Sequence, residues 1–271
     1  YEQNHIDLSR FALPCPRVHQ IVFVNGHYEP HYSTEPASEA ALTRDTIARH
    51  SNSPVVGRIA DAAAYGIPIL EEHLGRYASA EESAFTALNT AFLHDGAFVV
   101  IPEKTSITEP IHLLFINAET SDYHVAHPRV LIIGLPGSNA TILESYESID
   151  NETSFTNAVT EVVLGAQATM RLYRIQRECD NAYHVATTQV FQQRNSNLAR
   201  VSIDAGAKLS RHDTRIELAE RGAELSLTGL YICDNQKHAD NHTSVEHTVG
   251  DTASKQVFKG ILGEQSHGVF V

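Results

Sequence analysis

The sequence predicts an all-β chain of short stacked strands, preceded by a small mixed region of helix and strand. From residue 98 onward, short β-branched runs follow one another with little room for helices between them. Several runs alternate in polarity, as strands with two different faces do. Ala223, Leu225 and Leu227 share one face of such a run, while Val201 and Ile203 alternate with polar residues.

This change of character divides the chain into two expected parts. Residues 1–97 form an N-terminal mixed α/β region with a linker, and residues 98–271 form the strand-rich core. The first predicted strand is Val18–Val24, and Asn25-Gly26 after it is a typical two-residue hairpin turn. The polar residues 33–56 are interpreted as a helical turn or linker.

One helix is predicted within residues 79–94. Ser79 followed by Glu82 has the spacing of a capping box, and Asp95-Gly96 is a natural helix end. Apolar residues recur at helical spacing between these limits, so we expect them to form the buried stripe. The stripe comprises Ala84, Phe85, Leu88, Ala91 and Phe92.

A weak repeat of the form G-[AS]-x-[AL]-[ST] marks boundaries between strands. It begins at Gly137, Gly165, Gly206 and Gly222. We expect a tight corner at each one, with glycine supplying a positive φ. Corners without intervening helices favour a wound β-solenoid. An antiparallel sandwich also has short strands with glycine turns, so the pattern alone leaves both architectures open.

Composition narrows the classes of partner. The chain has 33 acidic and 20 basic residues, a net charge of −13 and no basic run, which disfavours nucleic acid. No apolar stretch is long enough to suggest a membrane span, and no secretory signal opens the chain, so the cytoplasm is the expected compartment. Cys15, Cys179 and Cys233 are too few and too far apart for a disulfide framework. The chain starts at Tyr1 and stops inside a predicted strand, so we expect it to continue at both ends.

Three segments of the sequence resemble one protein family. Residues 21–30 (IVFVNGHYEP) are similar to a strand near the start of SufD proteins. Residues 238–247 (HADNHTSVEH), and residues 254–262 (SKQVFKGIL) followed by 267–270 (HGVF), are similar to two later segments of the SufB/SufD family. The resemblance implies a right-handed parallel β-helix with a small N-terminal helical region, which decides between solenoid and sandwich.

The resemblance also implies a function. A SufD-like chain would be a non-catalytic scaffold subunit in iron–sulfur cluster assembly and iron acquisition, with a SufB-type scaffold protein and a SufC-type ABC ATPase as partners. The cluster or iron would be bound only in the partner complex and not by this chain alone. A homodimer is expected when no SufB partner is present, with its interface near residues 255–271. A SufB-type scaffold is the alternative within the family.

The residues themselves give little reason to expect an enzyme. The chain lacks a phosphate-binding G-x-x-x-x-G-K-[ST] loop and a G-x-S-x-G nucleophile elbow. The cysteines are isolated, and Cys179 and Cys233 are interpreted as small buried apolar residues. A carbohydrate-active β-helix enzyme is the alternative from another class. It needs paired carboxylates and usually aromatic platforms, and the chain has no tryptophan.

The candidate metal ligands lie in one histidine-rich segment near the end of the sequence. His242 and Glu246 would share one face of a strand over residues 242–249 and offer a nitrogen–oxygen pair suited to iron. The competing interpretation is that these side chains satisfy backbone groups at corners. The same segment also contains His238, Asp240 and His247. Two further pairs, His124 with His127 and His27 with His31, are expected to be solvated loop residues.

Overall fold

The computed structural model describes residues 6–15, 17–34, 53–118 and 123–271, and it shows a parallel β-solenoid of about six turns. Its strands form two long sheets. The first sheet contains β1 (His19–Val24), β2 (His27–Tyr28), β5 (Ile111–Asn117), β8 (Asn139–Ser148), β10 (Thr169–Arg177), β12 (Asn197–Asp204), β14 (Glu224–Cys233) and β16 (Ala253–Leu262). The second contains β3 (Val55–Arg58), β4 (Gly96–Ile101), β6 (His124–Ala126), β7 (Arg129–Gly134), β9 (Ser154–Leu164), β11 (Tyr183–Gln192), β13 (Leu209–Leu218), β15 (His238–His247) and β17 (His267–Phe270).

The strand pairing confirms the prediction of stacked parallel strands. From β5 onward every pairing within the described strands is parallel, and each strand pairs with the strand one coil away. Two antiparallel pairings lie at the start, β1 with β2 and β3 with β4. The first is the predicted hairpin, and Asn25 and Gly26 have φ of 51° and 78°, as a type I′ turn requires.

The corners of one column stack with a regular repeat. Gly137, Gln167, Asn195, Gly222 and Asp251 all have positive φ and follow one another at intervals of 27–30 residues. The backbone N–H groups of the first four donate to carbonyl groups of the next coil at 2.6–3.1 Å. Each corner is therefore satisfied by its neighbour, which explains why non-glycine residues tolerate the left-handed conformation here.

All four glycines of the sequence repeat lie at or next to corners, but only two supply the positive φ. Gly137 and Gly222 do so, with φ of 69° and 76°. Gly165 lies two residues before the left-handed Gln167, and Gly206 belongs to the other column of corners. A Cβ on Gly206 would lie 2.2 Å from the carbonyl oxygen of Glu178, so close backbone approach requires glycine there.

Three helices cover the outer face of the second sheet near its start: α1 (Ile59–Ala64), α2 (Pro68–His73) and α3 (Ala84–Ala91). Ile59, Ile67 and Leu70 pack there against residues of β4 and β7. The N-terminal region also contributes strands to both sheets. Of the predicted linker 33–56, residues 35–52 lie outside the described residues, and residues 55 and 56 belong to β3.

The structure corrects the predicted limits of the helix at residues 79–94. The helix begins after Ser83, whose side chain accepts a hydrogen bond from the N–H of Thr86. Ser79 accepts from the N–H of Glu81 outside the helix. The helix ends at Ala91, and Gly96 is the first residue of β4. The Ser79–Glu82 capping box is therefore wrong, because a serine four residues later provides the cap.

The predicted apolar stripe of this helix is also wrong. Phe85 and Phe92 are 37% and 63% exposed, whereas Thr86 and Asn89 are buried. The amide of Asn89 donates to the carbonyl oxygens of Pro128 and Asn157 at 3.0 and 2.9 Å. The helix thus turns the amide of Asn89 toward carbonyl groups just before β7 and within β9.

The buried carboxylate of Glu161 binds the loop between α2 and α3 to the solenoid. Glu161, on β9, is fully buried and accepts from the N–H groups of Gly75, Tyr77 and Ala78 at 2.9–3.0 Å. The guanidinium of Arg129 donates to the same carboxylate at 2.6 Å. Four donors on one carboxylate fix the path of the chain between α2 and α3.

Candidate functional site

The middle coils of the solenoid have a polar interior. Apolar side chains fill the first coils, but from β8 onward titratable groups replace many of them in the rows that face inward. We call this set the interior column. It comprises Glu144, Tyr146, Arg174, Glu178, His184, Arg200, Asp204 and His212, all buried.

Strand alternation and register place these groups together. On β12 the inward residues are Arg200 and Asp204, while Val201 and Ile203 point outward. Parallel register then aligns rows across coils, so that Glu144 is level with Arg174. Because the side chains of a strand alternate between its two faces, every second residue of each strand faces the interior.

Arg174 forms the centre of the column. Its Nη1 lies 2.5 Å from Oδ1 of Asp204, and its guanidinium lies over the ring of Tyr146. Its Nη2 lies 2.7 Å from Nε2 of His184. Because a guanidinium only donates, that ring nitrogen must accept, and the proton of His184 is on Nδ1.

Glu178 is held by neutral donors on several coils. Its carboxylate accepts from Asn117 at 2.9 Å, Thr156 at 2.6 Å and Gln176 at 2.9 Å, and lies 2.6 Å from Nδ1 of His184. Burial raises the pKa of Glu178, but His184 and the hydrogen bonds outweigh burial, so the pKa lies below its ordinary value. This carboxylate is therefore ionised. A narrow cavity reaches it, lined by Gly26, Phe115, Asn117, Tyr146 and Thr156 among others.

Arg200 is a buried guanidinium without a carboxylate within salt-bridge distance among the described residues. It donates to Nε2 of His212 at 3.1 Å and to Thr188 at 3.3 Å. Burial, followed by the nearby Arg174, lowers the pKa of Arg200 to about 10. Burial also holds the pKa of His212 well below its ordinary value, so this imidazole is neutral and accepts.

Glu144 completes the column. Tyr146 and Thr160 donate to its Oε2 at 3.1 and 2.9 Å, and burial raises the pKa of Glu144. The column thus places Glu144 and Asp204 in the same buried interior as the guanidinium groups of Arg174 and Arg200.

The structure separates the two predicted metal ligands. His242 and Glu246 both lie on the outer face of β15, four residues apart, which corresponds to about 13 Å along a strand. Nε2 of His242 lies 2.8 Å from Oδ1 of Asp240 instead. Among the described residues, no group of three His, Cys, Asp or Glu side chains is placed to hold a metal ion.

The remaining histidines of the segment and the two histidine pairs have separate surroundings. His247 contacts the hydroxyl groups of Thr252 and Ser254. His127 stacks on Phe92, with 5.4 Å between ring centroids. The expected loop position of His124 is wrong, because this residue begins β6. His27 lies in β2 rather than in a loop, His31 lies in the 3₁₀ turn Pro30–Tyr32, and His238 opens β15.

The three cysteines also differ in their surroundings. Cys15 is exposed, Cys179 is partly buried and Cys233 is buried. The thiol of Cys179 donates to the carbonyl oxygen of Glu152 at 3.2 Å. Burial raises the pKa of the Cys233 thiol, which disfavours the thiolate that metals bind. The interpretation as a small buried residue therefore fits Cys233 better than Cys179.

Comparison with known proteins identifies the family. Residues 14–113 match the family model of the SufBD protein N-terminal region, and residues 115–271 match that of the SufBD core domain of the SUF system for FeS cluster assembly. The chain belongs to the SufBD family. The core match coincides with the part of the solenoid that contains the interior column.

Curated relatives agree with this assignment. An iron–sulfur cluster assembly SufBD family protein of Synechocystis is 29% identical over 97% of this chain and 57% of its own length. Protein ABCI7, chloroplastic, of Arabidopsis thaliana is 28% identical over 73% of this chain and 42% of its own length. A SufBD family protein of Staphylococcus epidermidis is 26% identical over 71% and 41% respectively. The chain thus spans about half the length of the curated relatives it matches.

The model that matches residues 115–271 is thus that of a core domain of the SUF system for FeS cluster assembly. No helix within the described ranges is both long and apolar enough to cross a membrane. The histidine-rich segments of the sequence do not point to the interior column. The signal was present in the alternation of residues 200–204, but it requires the parallel register before it indicates a shared interior.

Proposed function

We propose that this chain is part of a non-catalytic scaffold subunit of a SufBCD-type assembly complex, of the SufD branch, acting in the cytoplasm. The observation that supports it most is that both family regions, 14–113 and 115–271, follow one another along one continuous solenoid. Such a fold offers long rigid surfaces for partners. The segment at residues 21–30, which forms β1 and its hairpin, favours SufD over SufB through its resemblance.

The proposed partners are a SufB-type scaffold protein and a SufC-type ABC ATPase. Iron and the cluster are cargo of the complex in this proposal, and their tight binding requires the partners. The separate surroundings of Cys179 and Cys233 support it, since clusters are commonly held by several thiolates that converge. Anaerobic reconstitution of this chain alone should give no visible cluster absorption.

Co-purification with the SufB-type and SufC-type proteins of the same source tests the proposal. The full-length protein should form a complex with both, and iron and sulfide should be found in the complex and not in the chain alone. Recovery with a SufD-type partner in place of SufB would assign the chain to the SufB branch. A chelator-resistant cluster on the chain alone, lost in Cys179→Ser but retained in Cys15→Ser, would contradict the proposal.

We further propose a homodimer in the absence of a SufB partner, with the interface at residues 255–271. The support is the resemblance of residues 254–262 and 267–270, which lie in β16 and β17, to the SufB/SufD family. Val269→Asp should therefore weaken a dimer seen by light scattering, whereas Leu135→Asp should impair folding. A monomer at all micromolar concentrations of the full-length protein would contradict this pairing.

A further inference from the structure

The outer face of the first sheet carries two neighbouring apolar rows. The first row crosses five strands through Leu143, Tyr173, Val201, Thr228 and Val257. The second row runs beside it, two residues further along each strand, and contains Ser145, Ile175, Ile203, Leu230 and Lys259. From β10 onward the side chains of these rows are half-buried or exposed, and none of them belongs to a hydrophobic cluster of the described residues. We call these ten residues the apolar face.

The opposite sheet differs at the same level of the solenoid. The outward positions of β13 and β15 are charged or polar, and many pair with one another. They include Arg211, Asp213, Arg215, Glu217, Asp240, His242, Ser244 and Glu246. Exposed aliphatic rows are thus a property of one face of this solenoid, and contiguous apolar patches mark binding sites.

The same face is already covered at its start. The second apolar row begins with Val22 and Leu114 on β1 and β5. Both are fully buried, because Phe11 and Leu8 of the 3₁₀ turn Leu8–Phe11 pack over them. A short helical segment with aliphatic and aromatic side chains therefore covers the first two strands. The row continues through Ser145 into Ile175 on the uncovered strands.

Cations border the apolar face. Arg171 and Lys255 lie in one row beside Tyr173 and Val257, and Lys259 ends the second row. None of the three has an ion pair or hydrogen bond to another described residue. The acids on this face are engaged: Glu147 binds Arg177, and Glu224 accepts from Asn197. On a chain of net charge −13, this face is locally basic.

We propose that the apolar face is the docking site for an amphipathic helix of a partner protein, with an aliphatic stripe flanked by acidic residues. Aliphatic rows would take the stripe, and the free cations would meet the acidic flanks. The four strand spacings from β8 to β16 span about 19 Å. A helix of about 13 residues has that length.

A lipid surface is the competing occupant, because anionic membranes also combine apolar and negative groups. Membrane-binding surfaces insert projecting aromatic and leucine side chains. Five of the ten residues here are β-branched, and Leu143 is buried, so Tyr173 and Leu230 are the two uncovered members of the aromatic or leucine type. This composition matches the side of a helix better than a bilayer.

Peptide binding to the full-length protein tests the proposal. A fluorescent label on a 14-residue amphipathic peptide reports binding through its anisotropy. A peptide with a leucine stripe and glutamate flanks should bind saturably and more weakly at high salt. The same stripe with lysine flanks should bind at least tenfold more weakly. Vesicles of phosphatidylcholine and phosphatidylglycerol should not bind.

Variants locate the site. Val201→Glu should weaken the binding of the peptide with glutamate flanks at least tenfold. Thr228→Glu, at an exposed position of the same row, provides the same test if Val201→Glu lowers the Tm. Ser244→Glu on the other sheet is the matched control and should leave binding unchanged. The double variant Arg171→Glu and Lys255→Glu should bind the peptide with lysine flanks more tightly than the peptide with glutamate flanks. Equal binding of both peptides, or binding unaffected by both variants of the row, would overturn the proposal. Vesicle binding lost in Val201→Glu would assign the face to membranes instead.

Discussion

Nη2 of Arg174 lies 2.7 Å from Nε2 of His184, and this contact fixes the tautomer of a buried imidazole. Nδ1 of the same imidazole lies 2.6 Å from Oε2 of Glu178. Arg174 itself is neutralised by Asp204 on the next coil of the same sheet. The interior of the solenoid is thus ordered by directional polar contacts between coils, and each group depends on the charge of the next.

Asp204→Asn should destabilise the fold strongly, because it leaves the buried guanidinium of Arg174 without its carboxylate. Breaking one side of a buried ion pair costs about 3–5 kcal/mol, which urea denaturation would measure. Asp251→Asn is the control. Its pair with Arg221 is exposed, so the loss should stay below about 1 kcal/mol. Equal losses for the two variants would show that the column is more hydrated than its burial indicates.

Glu161→Gln should loosen the connection between the helices and the solenoid. The amide keeps one acceptor oxygen but leaves Arg129 buried without its anion and loses acceptors for the loop at residues 75–78. We expect a loss of about 3–5 kcal/mol and faster proteolysis within that loop. Glu103→Gln, at a surface pair with Lys104, should leave both unchanged. Protection of the loop in Glu161→Gln would contradict this role.

Gly222→Ala should destabilise the corner column. Gly222 has φ of 76°, and a Cβ there would lie 2.0 Å from Oδ1 of Asn195. We expect a loss of about 1–3 kcal/mol, seen as a lower Tm. Gly250→Ala is the matched control, since a Cβ there meets nothing within 4 Å and its φ is not in the left-handed region. Its Tm should stay the same or rise slightly.

Local patterns in the sequence could predict the short strands, the first hairpin and the position of the corners. The choice of a solenoid over a sandwich came from the family resemblance. The sequence could not predict which face of a strand is inside. Residues 200–204 alternate as expected, yet Arg200 and Asp204 are buried and Val201 and Ile203 face outward. Ranking by hydrophobicity would choose the opposite face. Partners on other coils make the difference, and these appear only once the register is known.

The helix at residues 84–91 shows the same limit. Phe85 and Phe92 have helical spacing, but Asn89 takes the buried side, where its amide donates to the carbonyl oxygens of Pro128 and Asn157. The corner repeat shows another limit. Glycine is required at Gly137 because φ is positive, and at Gly206 because another part of the backbone lies too close for a Cβ. The same motif therefore occurs at positions that are not structurally equivalent.

The stability of the chain should fall as the pH falls from about 6.5 to 4, in part through His112. Burial and then Arg177 lower the pKa of His112 to about 4 from 6.5, while its ring contacts Ser145 and Gln20. Because the folded pKa is depressed, the unfolded chain takes up the proton first as the pH falls. This contribution is complete above pH 6.5, and roughly 3 kcal/mol of it is lost by pH 4.

His112→Asn should flatten the difference in urea stability between pH 7.5 and 4.5, whereas the exposed control His31→Asn should not. His212 adds to the slope in the same direction, so some dependence should remain in His112→Asn. An identical pH dependence in His112→Asn and the unsubstituted chain would show that His112 is protonated equally in the folded and unfolded states.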